Sequence, residues 1–304
     1  MNNKKITFGE FSQEWLEFYK KDSGIRTNTF VESYERTVSR YLVPTFGMTA
    51  LEDITPLDVR KFVKKMSKTY SKSTVSKNVL CLNQIFRAAI ENRLCDRNPA
   101  ANIQIRSSIE PSKRKTYSDK EVKDIVEFSK NHSAGIYIHI MLELGLRCSE
   151  LCGLQWGDID FERKVIHIRR ACTACKGIAH IDTTKNETSY RTLPVSSVLI
   201  NRLRSAAQAH SPDQYVAPSK RNAYKPLTPS SFTKGYYDDF FKAYGFDKRL
   251  PPHSLRHTCG TLLYNRCHDI YAVSKFMGHS SINITAKLYV HPDAEMLRSA
   301  LGIE

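Results

Sequence analysis

Six side chains in the second half of the chain have types that suit one reaction on a phosphate group. They are two arginines, a lysine, two histidines and a tyrosine: Arg147, Lys185, His253, Arg256, His279 and Tyr289. The fork of a guanidinium matches the oxygens of a phosphodiester, so two arginines can offset its negative charge. A tyrosine becomes a nucleophile when a neighbouring base accepts its proton or nearby cations stabilise the phenolate. The set therefore predicts attack by a tyrosine on a phosphodiester.

The first arginine lies in a specific local pattern. Arg147 belongs to the segment Gly145-Leu-Arg-Cys-Ser-Glu-Leu151, in which the glycine ends an apolar helix and a new helix begins. Glu150 follows three residues later, close enough to orient the guanidinium. The pattern predicts that Arg147 is catalytic and that Glu150 supports it.

The second arginine shares a short motif with a histidine. His253 and Arg256 follow Pro251-Pro252 and open a predicted helix, so both side chains should project from its first turn. The N-terminal end of a helix also favours an anion. An alternative interpretation pairs His253 with His257 on a zinc ion, but this pair lacks a third ligand in the sequence.

The lysine and the tyrosine carry weaker local signals. Lys185 lies between two predicted strands, in a Thr-Thr-Lys turn before Arg-Thr-Leu-Pro, where most lysines are simply solvated. At a hairpin tip it could protonate a departing oxygen, with Lys176 as a less favoured substitute. Tyr289 is one of 15 tyrosines, but it stands ten residues after His279 and near the end of the sequence.

The elements that must position these residues differ between the two parts of the chain. The first hundred residues predict four helices. The first begins at the capping box Thr7–Glu10, the second spans about 29–41, the third begins at Thr55-Pro-Leu-Asp58 and the fourth covers about 71–93. Aromatic residues of the first helix, namely Phe8, Phe11, Trp15, Phe18 and Tyr19, are expected in its core.

A linker and a mixed domain follow. Residues 98–117 lose periodicity and contain Lys113, Arg114 and Lys115, and another capping box at Ser118 opens the next domain. Beyond it, strand patterns at 165–168, 178–183 and 191–195 predict a small antiparallel sheet. Helical patterns cover 136–144, 196–208, 229–244, 254–267, 270–277 and 282–290. We predict a mainly α protein with domains at 1–97 and 118–304.

The composition indicates a polyanionic partner. The formal net charge is +15, and basic residues outnumber acidic ones on both sides of residue 110. Each neutralised phosphate would release counterions, so a polyanion that touches both domains is the natural partner, although a merely basic soluble protein is the alternative. The candidate DNA-binding residues are Lys72 and Lys77 of the fourth helix and Lys113, Arg114 and Lys115 of the linker.

Metals, disulfides and membranes are not expected. Among the eight cysteines, Cys172 and Cys175 form a single Cys-x-x-Cys pair, with no second pair at zinc-finger distance. No apolar run approaches the roughly 20 residues of a membrane span, and the N-terminus lacks a signal-peptide pattern. We expect a cytoplasmic protein without metal or other cofactor.

Taken in order, these motifs resemble those of the tyrosine recombinases, the lambda-integrase-like family. The series of Arg147, His253 with Arg256, His279 and Tyr289 carries the resemblance, and nearly the whole chain is covered. The amino-acid sequence of the N-terminal part is most similar to that of integrases of phages and integrative elements of Gram-positive bacteria. The family has a helical SAM-like core-binding domain followed by an α+β catalytic domain.

The resemblance implies a role for each residue. Tyr289 would attack the scissile phosphate to give a 3′-phosphotyrosine and a free 5′ hydroxyl, without metal or ATP. Arg147, Arg256 and His279 would hold the phosphate oxygens, His253 would take part in proton transfer and Lys185 would be the general acid. Four protomers would assemble two double-stranded DNA sites, with an excisionase or a host DNA-bending protein as further partners.

Three points stay open at this stage. Many integrases of this group carry an extra N-terminal domain that binds arm sites. Here only about six residues precede the first helix of the core-binding domain, so this domain is either absent or cut off from the sequence. DNA relaxation of the type IB topoisomerase kind is an alternative activity, and a catalytically silent DNA-binding regulator is another. The target sequence, the direction of the reaction and the host cannot be read from these residues.

Overall fold

The computed structural model describes residues 5–22, 30–106, 109, 115–183, 190–219, 222–245 and 248–289. The chain divides into two compact units, Met1–Lys113 and Arg114–Glu304. Each unit has a hydrophobic core of its own. The finer predicted boundaries, at residues 97 and 118, stay predictions.

The described part of the first unit is helical. Its elements are α1 (Phe8–Asp22), the π-helical turns Phe30–Glu35 and Val38–Leu42, α2 (Val43–Phe46), the 3-10 turn Leu51–Asp53, α3 (Pro56–Ser67) and α4 (Lys72–Glu91). The second predicted helix was expected to end before Pro44, and this was wrong. Pro44 lies in the first turn of α2, where a helix needs no donor from that residue.

The predicted helix starts are confirmed by their side-chain caps. The Thr55 hydroxyl accepts a hydrogen bond from the backbone N–H of Asp58 at 3.3 Å, and the Asp58 carboxylate accepts one from the Thr55 N–H at 3.1 Å. Thr7 and Glu10 make the same reciprocal bonds at the start of α1. These caps satisfy N–H groups that the first turn of a helix leaves without partners.

The aromatic residues of α1 mostly enter the core, as predicted. Phe8 is fully buried, and its ring lies 5.8 Å from Phe46 and 6.1 Å from Phe86. The expectation was wrong for Phe18, which is 73% exposed, because the buried face at the end of α1 is centred on Trp15 and Leu16. Tyr19 has a side chain that lies outside the described residues.

Most elements of the described part of the second unit are helices. Its α-helices are α5 (Asp119–Ser129), α6 (Gly135–Leu144), α7 (Cys148–Gly153), α8 (Ser197–Ala207), α9 (Pro229–Phe232), α10 (Asp238–Tyr244), α11 (His253–Cys267), α12 (Ile270–Met277) and α13 (Ile282–Tyr289). The predicted helix at 229–244 is instead three segments, because a π-helical turn, Thr233–Tyr237, joins α9 to α10.

Three small antiparallel sheets complete the unit. The strands are β1 (Ile159–Asp160), β2 (Val165–Ile168), β3 (Arg170–Cys175), β4 (Ile178–Thr183), β5 (Arg191–Pro194), β6 (Pro218–Ser219) and β7 (Asn222–Pro226). Their order is β1-β2-β5 in one sheet, with β3-β4 and β6-β7 as separate pairs. The prediction that strands 165–168, 178–183 and 191–195 form one sheet was therefore wrong in detail. Strand β4 pairs with β3, which was not predicted.

Metal and membrane features can be judged on the described residues. There, no group of three or more His, Cys, Asp and Glu side chains could hold a metal ion. Cys172 and Cys175 are three residues apart on β3, so they point to opposite faces of the hairpin. In the same part of the chain, no helix has the length and apolar character needed to cross a membrane.

Candidate active site

Arg147 stands at a sharp junction between two helices. Helix α6 ends at Gly145, whose φ of 59° is left-handed, and a Cβ there would lie 2.9 Å from the Met277 sulfur. Glycine is thus required both by backbone conformation and by space. Arg147 then caps α7, and its N–H donates to the Glu150 carboxylate at 2.9 Å. The predicted helix stop and restart are confirmed.

Glu150 is the buried centre of the charged cluster. Its carboxylate accepts from Arg147 Nη1 at 2.6 Å and from both terminal nitrogens of Arg191, at 3.1 and 2.9 Å. Arg256 Nη1 lies 3.9 Å away. Burial would raise the pKa of Glu150, but the bonds and charge of Arg191, followed by the charges of Arg147 and Arg256, lower it to about 2. Glu150 is therefore ionised at neutral pH.

Arg191 is a member of this cluster that the sequence analysis missed. It opens β5, is 8% exposed, and donates through Nε to the carbonyl of Phe276 at 2.9 Å. The strand pattern held a usable signal, because Arg191 and the buried Leu193 lie two residues apart and share one face of β5. An arginine on the inward face of a strand requires a buried acidic or carbonyl partner.

Arg256 projects from the first turn of α11 into the interior. Its guanidinium donates to the carbonyl of Gly145 at 2.7 Å and to that of Met277, and it is 1% exposed. Burial and the neighbouring charge of Arg147 lower the pKa of Arg256 to about 10, against the opposing effect of Glu150. The group still carries its charge at neutral pH. It is held in place by backbone atoms of two separate helix ends.

His279 follows the end of α12. Gly278 ends that helix with a φ of 63°, and its carbonyl accepts from Arg147 Nη2 at 3.1 Å. The His279 Nδ1 lies 2.8 Å from the Thr285 hydroxyl. Burial, then the charges of Arg256 and Arg147, lower the pKa of His279 to about 4. The imidazole is therefore neutral at neutral pH, and it can offer one ring N–H.

Tyr289 is the last described residue and lies at the end of α13. Its ring is stacked on that of His279, with a centroid distance of 6.3 Å and an interplanar angle of 11°. It also packs on Gly260 of α11, where a Cβ would approach the tyrosine hydroxyl to 2.5 Å. Tyr289 is 5% exposed. A residue with any side chain at 260 would displace this ring.

Two histidines of α11, His253 and His257, lie near the tyrosine. His253 and His257 lie one turn apart, with ring centroids 4.6 Å apart at nearly right angles. The His257 ring is 6.4 Å from that of Tyr289. His257 is buried and His253 is exposed, so His253 is the one that faces water. The ring of His257 is thus a neighbour of both the exposed His253 ring and the Tyr289 ring.

Two family models cover these units. The model described as the phage integrase family matches residues 115–296, and the model of the phage integrase central domain matches residues 8–106. The first match alone spans more than half of the chain. The chain belongs to the phage integrase family.

Individual relatives of this integrase agree with that placement. It is 28% identical over 320 residues to a "Tyrosine recombinase XerC-like" protein of Caldanaerobacter subterraneus subsp. tengcongensis, covering 94% of this chain and 79% of the relative. It is 24% identical to the integrase of Staphylococcus phage L54a, over 97% of this chain and 91% of the relative. The predicted family and enzyme class, an integrase-type tyrosine recombinase, are confirmed.

Solved structures share the fold of the integrase. The Tn1549 transposon integrase in complex with transposon right end DNA superposes with a TM-score of 0.80 at 22% identity, over 98% of this chain and 99% of that chain. A lambda integrase dimer bound to a COC′ core site gives 0.70 at 15% identity, over 95% and 81%. The predicted fold class, mainly α with small antiparallel sheets, is confirmed.

The structure brings most of the predicted site residues of the integrase together. Arg147, Glu150, Arg256, His279 and Tyr289 are linked by the contacts above, and His253 joins them through His257. Lys185 lies outside the described residues. Of the DNA-binding candidates, Lys72, Lys77 and Lys115 are exposed, while Lys113 and Arg114 lie outside the described residues. Their roles in this chain stay predictions.

The arrangement has a clear electrostatic character. Three guanidiniums, those of Arg147, Arg191 and Arg256, surround a single carboxylate, that of Glu150. The excess of positive charge lies in a largely buried region, where electrostatic interactions are stronger than in water. The Arg147 side chain is 36% exposed, so it can reach a group outside the protein. Such a site can hold an anion with little rearrangement.

Proposed function

We propose that this integrase cleaves and rejoins double-stranded DNA at specific sites through a covalent 3′-phosphotyrosine, to integrate or excise a mobile element. The observation that carries the proposal is the convergence of Arg147, Arg256, His279 and Tyr289. They come from four separate segments of one unit. Arg147 and Arg256 lie 2.6 and 3.9 Å from the buried carboxylate of Glu150, and the ring of His279 is stacked on that of Tyr289.

The two arginines and His279 are the proposed phosphate clamp. Attack on a phosphodiester concentrates negative charge on the non-bridging oxygens, and fixed donors aimed there lower the barrier. Arg147 reaches outward from the N-terminus of α7, while Arg256 keeps further N–H groups beyond its two bonds to carbonyls. His279 supplies a neutral donor beside them.

Tyr289 is the proposed nucleophile. Its phenol oxygen would form the bond to phosphorus as the bond to the 5′ oxygen breaks, which leaves a 3′-phosphotyrosine and a 5′ hydroxyl. The proton of the phenol needs an acceptor, and His253, reached past the ring of His257, is the proposed one. The clamp also stabilises the phenolate form electrostatically.

Lys185 is the proposed general acid for the departing 5′ oxygen. In the sequence it stands between β4 and β5, and β5 begins with Arg191 of the charged cluster. In the reverse step the 5′ hydroxyl of a partner strand would attack the phosphorus of the phosphotyrosine and give its proton to Lys185. The bond to the phenol oxygen would break, and Tyr289 would take back its proton from His253. Because the phosphotyrosine keeps the ester bond, rejoining requires no added energy source.

Double-stranded DNA is the proposed partner of both units. Lys72 and Lys77 are exposed on α4 and Lys115 is exposed at the start of the second unit, and we propose that they contact phosphates, with Lys113 and Arg114 of the linker. The Tn1549 and lambda integrases were solved with DNA, and lambda integrase was also solved as a tetramer bound to a Holliday junction. We propose a tetramer on DNA here, with an excisionase or a host bending protein as accessory factor.

Covalent trapping on a nicked duplex tests the proposal. The duplex should come from the ends of the element that encodes this gene, and the reaction should contain EDTA. The expected result is a protein–DNA adduct on a denaturing gel that is lost in Tyr289→Phe. The matched control is Tyr264→Phe, because Tyr264 is a buried tyrosine of the same hydrophobic cluster.

Two outcomes would count against the assignment. An adduct that persists in Tyr289→Phe would mean that another residue is the nucleophile. Relaxation of supercoiled DNA without strand exchange between two paired sites would favour the topoisomerase-like activity over recombination. Exchange between two sites by the wild type, and by Tyr264→Phe, supports the recombinase.

A further inference from the structure

We propose that Arg191 is a positioning residue of the active site, which keeps Arg147 available for the phosphate and fixes the turn that carries His279. The inference rests on the proposed function of this site. It concerns a residue that would not touch DNA itself. All three guanidinium nitrogens of Arg191 donate inside the protein, to Glu150 and to the carbonyl of Phe276.

The first part of the role is charge balance. Arg191 binds both oxygens of Glu150, whereas Arg147 binds one oxygen through its side chain. If Arg191 were absent, the buried carboxylate would have Arg147 as its nearest cationic partner. Glu150 would then draw the Arg147 fork towards itself and offset the charge that the phosphate needs. Arg191 therefore leaves Arg147 with an uncompensated share of its charge.

The second part of the role is mechanical. The Nε of Arg191 donates to the Phe276 carbonyl in the last turn of α12, and Gly278 packs against the same guanidinium. A Cβ at Gly278 would lie 3.0 Å from Arg191 Nη1. Arg147, which caps α7, donates to the Gly278 carbonyl. The two arginines thus hold the turn before His279 at neighbouring points.

The hydrogen bonds of Arg191 separate this role from that of a phosphate ligand, whereas burial does not, since Arg256 is buried as well. The guanidinium of Arg191 donates to the protein from all three nitrogens, whereas those of Arg147 and Arg256 donate from two. A buried cation is costly unless it is paired, and here the pair with Glu150 offsets that cost. Arg191 also opens β5, so it joins the sheet to α7 and α12 at one point.

The experiment compares single-turnover cleavage of the nicked duplex by wild type, Arg191→Met and Arg191→Lys at saturating protein. The control is Arg202→Met, since Arg202 is a partly buried arginine that ties α8 to Ser129 in the same unit. We expect Arg191→Met to cleave about 100-fold more slowly, as a small misplacement of catalytic groups would cause. The dissociation constant for the duplex should not change, and Arg202→Met should cleave like the wild type.

A second substrate tests the charge argument. In a methylphosphonate at the scissile position, one anionic oxygen is replaced by a methyl group, so the reacting group is neutral and depends less on a cationic clamp. The ratio of wild-type to Arg191→Met rates should shrink towards one on this duplex. A ratio that is the same on both substrates would overturn the proposal, because a merely structural defect ignores the charge of the phosphate.

Thermal unfolding of each variant shows whether a slow variant is folded. If Arg191→Met does not fold, Arg191→Lys decides, because an ammonium cannot reproduce the forked contacts with Glu150 and Phe276. It should be slower than wild type on the phosphodiester and closer to it on the methylphosphonate. A lysine variant as fast as wild type would overturn the inference alone, whereas a wild type that forms no adduct would overturn the proposed function as well.

Discussion

In the first unit, none of the described Lys, Arg, Asp or Glu side chains is buried, whereas the second unit buries Glu150, Asp158, Arg191 and Arg256. The first unit keeps these charged side chains out of its interior and presents their charges to water, where they can meet a phosphate backbone at little cost. The second unit accepts the cost of desolvation, which fixes its charged groups before any substrate arrives. Together with the proposed function, this difference predicts that the first unit contributes mainly to DNA affinity and the second to the chemical step.

The largest effect should follow from the removal of a buried cation of the second unit. We expect Arg256→Met to lower the rate of adduct formation by about 10²–10³-fold, the usual result of losing one preorganised donor. Single-turnover cleavage and duplex binding should be measured together. Arg266→Met is the control, because Arg266 is exposed on the same helix. If the affinity of Arg256→Met for the duplex falls as much as its cleavage rate, the two units do not divide DNA affinity and chemistry between them.

A slightly smaller effect is expected from Gly260→Ala. A methyl group there would collide with the Tyr289 ring and shift the nucleophile, with a loss of about 100-fold in cleavage and little change in binding. Alanine in a helix interior otherwise stabilises by about 1 kcal/mol relative to glycine. A more stable variant with full activity would therefore show that the ring does not need this position. Asn265→Ala on the exposed face of α11 is the control.

In the first unit, changes should alter affinity and leave the chemical step intact. We expect Lys72→Ala and Lys77→Ala to weaken DNA binding, and to reduce the slope of log K against log salt by about 0.9 for each lost phosphate contact. The cleavage rate of saturated complexes should stay at the wild-type value. Lys130→Ala is the control, since Lys130 pairs with Glu127. A slower chemical step in the Lys72 variant would contradict the comparison.

The smallest effect concerns the protonation of His279 in the second unit. The pKa of His279 is lowered to about 4, so an NMR titration of the free protein should find it neutral above pH 5. Arg147→Met should raise this pKa, because the Arg147 charge helps to lower it. The unfolded chain binds this proton more readily, so the contribution of His279 to stability should decline as the pH falls from about 6.5 to 4. An ordinary histidine pKa in the free protein would contradict the electrostatic account.

The sequence predicted those features correctly whose interacting residues lie within one turn of the chain. The caps at Thr55 and Ser118 and the helix end at Gly145 involve partners no more than four residues away, or backbone conformation alone. The fold class and the family followed from such signals and from the order of the motifs. Strand β3 was missed because its sequence lacks a clear alternation, and its pairing with β4 is what makes it a strand.

The amino-acid sequence by itself determined the helix starts at Thr7, Thr55 and Ser71 of the first unit, the excess of basic residues and the identity of the residues that could attack and bind a phosphate. Tertiary structure alone decided that Arg191 shares Glu150 with Arg147, that backbone carbonyls hold Arg256 and that Gly260 makes room for Tyr289. The physical reason is distance along the chain. These contacts join residues tens to more than a hundred positions apart, and no local pattern encodes which of many side chains the fold will bring together.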